Sequence, residues 1–409
     1  MSRSPTVYAG QPALTKNQKT LCYYPVVLGH VLVNGLQFFS GIFIQKNKDF
    51  KSRIDNMVKL ATLQTTSDME KLHLEAVISL VYWNINDALN TWQKILTTYP
   101  TDILAIKFAY DACYIMGYSQ LMNGMMKRVL PYWEEEMEFY RTLKTLYAFV
   151  LVECNYFIEA EIIAREGLKH NNTDPQMVHV MAHVLGVTGH VGEAIMLLRS
   201  SLYCHGDYSA AIVVYDTEIA RRADSAESLN IFNIYDCCSL LFRLELEGVD
   251  VGERYNELYK VISPYMNDHI SAYSDMHLLM AIMGRGRQHE ISRFIESVRK
   301  YINNQTGTQR DIMHEIGIVI FEAFQAYKDG DYAKVVDILL PVRHKVWKIG
   351  GSQPQRDVCN LVLIHAALNS PQKRHQQTSR SLLEERKLEL TNSPMTDRLL
   401  AKYTRLHVD

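Results

Sequence analysis

His179 and His183 stand four residues apart in an apolar stretch, the spacing that places two imidazoles on one face of a helix. Such a pair can chelate a transition metal, share a proton or line a binding groove, and the surrounding residues decide between these. No third ligand is assignable from the sequence. The pair is therefore read as packed or hydrogen-bonded groove histidines, with no metal and no other cofactor expected. His30, His73, Asp275 with His277, and the run Gln355-Arg356-Asp357 are the remaining polar groups able to face a ligand. No catalytic residue is assigned. His314-Glu315 and His289-Glu290 open like a zinc-protease helix, but Ile318 and Arg293 stand where the second histidine belongs. The chain has neither a G-x-S-x-G nucleophile elbow nor a phosphate-cradling G-x-x-x-x-G-K.

The elements that must position these residues are helices. Apolar positions recur with the helical period almost throughout, punctuated at Gly117, Gly189, Gly248, Gly284 and Gly330-Asp331. Gly284-Arg285-Gly286-Arg287 reads as a helix-terminating turn, and Ser393-Pro394 as an N-cap followed by proline at the first helical position. The segments Asn84–Ala88, Tyr156–Ala160, His190–Ala194 and Asp207–Ala211 each run from a polar turn to a small residue opening a second helix. Ala160 and Ala194 are 34 residues apart, as are Ala148 and Ala182. That is the period of the tetratricopeptide helix–turn–helix repeat, whose small residues let paired helices approach. Ala76, Ala88, Trp92 and Pro100 fit an earlier copy, a degenerate copy is expected from Ile103 to Glu136, and a half-copy at Gly330–Val335. Counted from Pro175, His179 and His183 fall at positions 5 and 9, which line the concave face of stacked repeats; His73 takes position 5 of the first countable copy. Ala194 to Ala211 is only 17 residues, so a first helix is missing near 201–206. If the stack is left open there, Ile212, Val213 and Tyr215 are the side chains expected at the surface.

With 409 residues, 47% hydrophobic and 22% charged, the composition is that of a folded chain and excludes wholesale disorder. A net charge of −2 with no basic block excludes a nucleic-acid partner, which would require a clustered cationic face. Seven cysteines, an odd number without a C-x-x-C, suggest neither a disulfide framework nor a zinc knuckle, and imply a reducing compartment. Residues 20–45 carry no Asp, Glu, Lys or Arg. His30, Asn34, Gln37 and Gly41 nevertheless draw a polar stripe along them, so a buried helix is expected and a membrane partner is not.

Beyond the repeat, Leu339–Arg343, Gly350–Ser352, Gln355–Asp357 and Leu363–Leu368 resemble the C-terminal signature of the tetratricopeptide repeat protein 38 family. Pro100–Asp102, Val178-His179 with Ala182-His183, Tyr215–Thr217, Leu246–Gly248 and Gly29-His30 with Asn34-Gly35 add to the resemblance, which runs from about residue 26 onward. It implies an α-solenoid with no established catalytic activity. Two departures bear on the site. The family's further helix, with its Asn, Trp and His cluster, is lacking where this chain passes from Ser201 to Gly206. Leu185 and Gly186 also stand where an acidic residue is expected after His183. A histidine-lined site of the family is thereby incomplete here.

The expected architecture is all-α, an α-solenoid of tetratricopeptide-like repeats with one half-repeat missing near 201–206. Along the chain this reads as a polar leader over 1–20, N-terminal helices over 21–68, repeats over 69–222, degenerate repeats over 223–345 and capping helices over 346–409. The expected function is a cytoplasmic, non-catalytic scaffold that takes a protein or peptide partner in its concave groove. The alternative is a small-molecule- or metal-binding enzyme with His179, His183, His277 and Arg356 around one pocket.

Overall fold

A computed structural model describes residues 27–41, 43, 47–170, 174–188, 208–220, 231–390 and 393–407. The described residues are helical with short turns and contain no strand. They form two compact units, 1–154 and 155–409, the boundary falling inside the 69–222 stretch.

The first unit holds α1 (Val27–Phe39), α2 (Lys48–Leu63), α3 (Asp68–Val81), α4 (Ile85–Thr98), α5 (Ile103–Met116), α6 (Ser119–Val129) and α7 (Tyr140–Glu153). Local chemistry sets the ends. Ser67 and Glu70 close a reciprocal capping box on α3, Asp102 accepts from the Ala105 N–H to start α5, and Gly117 ends α5 in the left-handed region at φ 67°. Ala76 and Ala88 are fully buried where α3 and α4 pack, and Trp92 is sealed against Phe108. Gly35 of α1 lies so close to the Phe108 ring that a Cβ there would collide with it. The stretch from Ile103 to Glu136 holds the packed helices α5 and α6. Polar ties recur at about one repeat along the chain. Tyr118 Oη donates to Asn86 Oδ1 (3.1 Å), Arg128 Nη2 to Gln93 Oε1 (3.1 Å) and Trp133 Nε1 to the Pro100 carbonyl (3.2 Å), separations of 32, 35 and 33 residues.

The second unit begins with α8 (Phe157–His170), α9 (Pro175–Thr188) and α10 (Tyr208–Val214). It continues with α11 (Ile231–Leu246), α12 (Arg254–Ile262), α13 (Ala272–Gly284), α14 (Gln288–Asn304), α15 (Thr308–Ile312) and α16 (Ile318–Lys328). Last come α17 (Tyr332–Leu339), α18 (Gln353–Asn369), α19 (Lys373–Glu389) and α20 (Pro394–His407). The turn read at Gly284–Arg287 separates α13 from α14, with Gly286 at φ 69°, and the half-copy at Gly330 is the turn between α16 and α17. Ser393 Oγ accepts from the Thr396 N–H at 3.3 Å, capping α20 with Pro394 at its first position. α13 is buried on every side, because α11, α12, α14 and α16 all pack on it.

Ala194 and the 201–206 segment lie outside the described residues. On their far side, Val213 is exposed and Ile212 half-buried, but Tyr215 turns inward and is only 4% exposed, against the expectation that it would face solvent. Within α19, Glu384 and Glu385 are exposed while Arg386 is buried, and α20 follows. α1, within the uncharged stretch 20–45, has 13 residues, and no helix among the described residues is long and apolar enough to cross a membrane.

Candidate functional site

The candidate residues differ in how deeply the fold buries them. In the first unit, His30 sits half-buried on α1, where desolvation lowers its pKa. His73 on α3 is fully buried, with Nε2 at 3.0 Å from Asp102 Oδ2. The same carboxylate caps α5 through the Ala105 N–H at 2.9 Å. Burial pushes the Asp102 pKa up, but the His73 and backbone hydrogen bonds outweigh it and leave the carboxyl below its ordinary value. His73 is thus a strut joining one helix pair to the start of the next.

In the second unit the polar residues of α13 cannot reach water, so each needs an internal partner. Ser274 Oγ meets Tyr235 Oη at 2.6 Å, and Asp275 Oδ2 meets His269 Nδ1 at 2.7 Å. His277 Nδ1 donates to the Tyr273 carbonyl at 2.8 Å, which fixes the tautomer and leaves Nε2 as a bare lone pair. Burial, helped by the Arg243 charge, pushes the His277 pKa down to about 4, so the ring is neutral near pH 7. The Tyr235 and Tyr273 rings lie 5.1 and 4.4 Å from it, centroid to centroid.

Consecutive residues of α18 diverge from one another. Gln355 Oε1 accepts from Tyr273 Oη and from Ser352 Oγ (3.0 Å), while its Nε2 donates to Asp236 Oδ1 at 3.0 Å. Arg356 turns back to the Gly350 and Gly351 carbonyls. Gly351, at φ 73°, presses on the Tyr273 ring where a Cβ would clash, so only glycine suits both the conformation and the space. Asp357 makes a two-pronged pair with Arg386 at 2.6 and 2.7 Å. Burial raises the Asp357 pKa, but the Arg386 charge and hydrogen bonds prevail and hold it below the usual range. Asp275, His277 and Arg356 are buried, Gln355 and Asp357 half-buried, and each of the five makes an internal bond. The bonds of Asp275 to His269 and of Asp357 to Arg386 lie apart from the contacts that link His277 and Gln355 to Tyr273.

The sequence reading missed Tyr235, Asp236, Arg243, Ser274 and His269 in the polar contacts around α13 and the start of α18, and missed a second node at Glu247. There Tyr208 Oη donates to Glu247 Oε2 at 2.6 Å, while His365 Nε2 and Arg398 Nη2 approach the carboxylate at 3.6 and 3.5 Å. Burial alone would raise the Glu247 pKa; the His365 and Tyr208 contacts and the Arg398 charge reverse this and bring it down to about 2. Polar letters inside the apolar runs 272–284 and 361–368 were the available signal for both nodes.

The α9 histidines differ from all of these. Asp174 Oδ1 accepts from the N–H groups of Gln176 (2.9 Å) and Met177 (3.2 Å), starting the helix. Met177, Val180, Met181, Val184 and Leu185 are buried on its inner side, where Gly167 of α8 leaves room for Met177. His179 and His183 project together from this frame, both half-buried, with Nε2 atoms 2.9 Å apart and ring planes at 78°. One Nε2 donates and the other accepts. Desolvation pushes His183 down to about 4; desolvation and the adjacent His183 take His179 well below the ordinary value. Both rings are neutral near pH 7. Among the described residues no group of three or more His, Cys, Asp or Glu is placed to hold a metal ion. No protein-family model matches the chain.

Proposed function

We propose that this chain is a cytoplasmic scaffold, an α-solenoid of tetratricopeptide-like helix pairs, that binds a protein or peptide segment against the α9 face and catalyses no reaction. Support for the architecture comes from first helices beginning at Asp68, Ile103, Tyr140 and Pro175, successive offsets of 35, 37 and 35 residues. The residues that resemble the tetratricopeptide repeat protein 38 family accord with it. The observation that carries the binding reading is the contrast in exposure. His73, Asp275 and His277 are 0% exposed, whereas His179 and His183 stand together, partly exposed, on the first helix of a pair. Neutral imidazoles offer a donor and an acceptor to a peptide backbone without the cost of desolvating a charge.

The test compares the native chain with the double variant His179→Ala/His183→Ala, by affinity capture from cell extract and by thermal melting. Loss of captured partner at an unchanged melting midpoint is expected. Unfolding of the variant, or undiminished capture, would remove these histidines from the binding surface.

A further inference from the structure

The first unit carries an exposed surface that its own packing leaves unused. We propose that the turn between α6 and α7, residues 131–139, docks an arginine-rich segment of a partner protein. Its residues are not those of the α9 face, so the two surfaces can be tested apart.

The first support is an apolar patch on a fixed frame. Trp133 is buried, and its Nε1 donates to the Pro100 carbonyl at 3.2 Å, which pins the turn to the chain just after α4. Backbone bonds tighten it: the Met137 N–H donates to the Glu134 carbonyl (3.1 Å) and the Tyr140 N–H to the Met137 carbonyl (3.2 Å). From this frame Tyr132 (60% exposed), Met137 and Phe139 (48%) reach solvent, and so does Tyr99, the residue before Pro100. One exposed apolar residue is ordinary; four large ones on two tied turns make the kind of patch that marks an interaction site. Phe139 stands at φ 69°, in the left-handed region that a bulky side chain rarely adopts. Its carbonyl accepts the Leu143 N–H at 2.9 Å at the start of α7, while its ring is held in water and not in the core.

The second support is the charge around that patch, which selects the partner. Residues 131–141 hold four glutamates against one arginine, Arg141, a net of −3 in a chain whose total is −2. Glu134, Glu135, Glu136 and Glu138 are all exposed, and among the described residues none of their side chains is in an ion pair or a hydrogen bond. Surface carboxylates of the second unit are taken instead, Glu315 by Lys345 and Lys348, and Glu385 by Arg343. Crowded like charges repel, and a cationic partner relieves that repulsion. The guanidinium group fits both features. Its plane stacks on an aromatic face, and its fork gives a carboxylate two parallel hydrogen bonds, whereas a lysine ammonium is a strongly hydrated point charge.

The probe is a fluorescently labelled hexa-arginine peptide, titrated with the full chain at physiological salt and followed by anisotropy. Saturable binding is expected, with hexalysine weaker and hexaglutamate not bound. Tyr132→Ala/Phe139→Ala should weaken the hexa-arginine complex by at least about fivefold, the loss of two cation–π contacts. Glu134→Gln/Glu135→Gln/Glu136→Gln/Glu138→Gln should weaken it further and flatten its salt dependence. Phe139→Gly should weaken binding yet raise the melting midpoint, because glycine takes the left-handed conformation without strain. Hydrogen exchange of the native chain should slow at 131–141 when the peptide is added, a readout that stands even if a variant fails to fold. No binding by the native chain, equal affinity for hexalysine, undiminished binding by the folded aromatic variant, or protection confined to other segments would each overturn the proposal.

Discussion

The two units solve the same packing problem with different interiors. In the first, helix pairs meet through alanines, Gly35 and an aromatic cluster of Phe38, Trp83, Trp92 and Phe108; among its described buried residues the histidine and carboxylate side chains are His73 and Glu153. Its ties between helices, such as Gln93–Arg128 and Asn86–Tyr118, lie at the surface. In the second, His269, Asp275, His277, Arg356, His365, His375 and Arg386 are all buried, and the helices are joined through them. Apolar packing tolerates change in proportion to the volume removed, whereas a buried polar node fails when a single partner is taken away. The second unit should therefore be the more fragile to single substitutions and to acid.

The largest effect is expected from Arg386→Ala. It leaves the half-buried Asp357 carboxylate without its partner, which costs up to about 3–5 kcal/mol. Replacing both partners, as Arg386→Met with Asp357→Leu, should recover most of that. Urea unfolding of the three chains measures it; an Arg386→Ala midpoint equal to that of the native chain would mean the pair is solvated and the contrast between the units false.

Acid is next. The Glu247 carboxyl is lowered from 4.5 to about 2, so its contribution is fully present above pH 4.5 and is lost as pH falls from 4.5 toward 2. The shift corresponds to a contribution on the order of 3 kcal/mol. Glu247→Gln should flatten the fall in stability across that window while leaving the slope above pH 5 unchanged. Parallel acid titrations of the native chain and the variant would show the Glu247 node to be inert.

The smallest effect should come from the first unit's surface ties. Arg128→Ala removes an exposed hydrogen bond to Gln93, and a shift below about 1 kcal/mol is expected from thermal melting. A larger loss would show that these ties, and not the alanine and tryptophan packing, hold the pairs together.

How far all this was legible follows from how local each signal is. Gly284–Arg287, Asp331 and Ser393-Pro394 mark helix ends because a cap acts within four residues of itself, and the structure places turns and caps there. The helical period also marked the stretch from Ile103 as helical, where α5 and α6 lie. Gln355-Arg356-Asp357 shows the limit. Three adjacent polar residues look like one patch, but successive helical positions point about 100° apart, from 3.6 residues per turn. Gln355 accordingly goes to Tyr273, 82 residues away, Arg356 back to Gly350 and Gly351, and Asp357 forward to Arg386. Likewise the partner of Glu247 is Tyr208, 39 residues off, a pairing no local pattern encodes. Polar residues on the wholly buried α13 could be recognised as internal only once its four neighbours were known.

The central claim is that the fold buries His73 and His277 and leaves the α9 pair partly exposed. Covalent modification of native imidazoles by diethyl pyrocarbonate, read out residue by residue by mass spectrometry, addresses it directly. His179 and His183 should be modified in the folded chain, while His73, His277 and His365 stay unmodified until denaturant is added. Modification of His277 at the rate of the α9 pair, or silence of His179 and His183 in the native chain, would contradict the account.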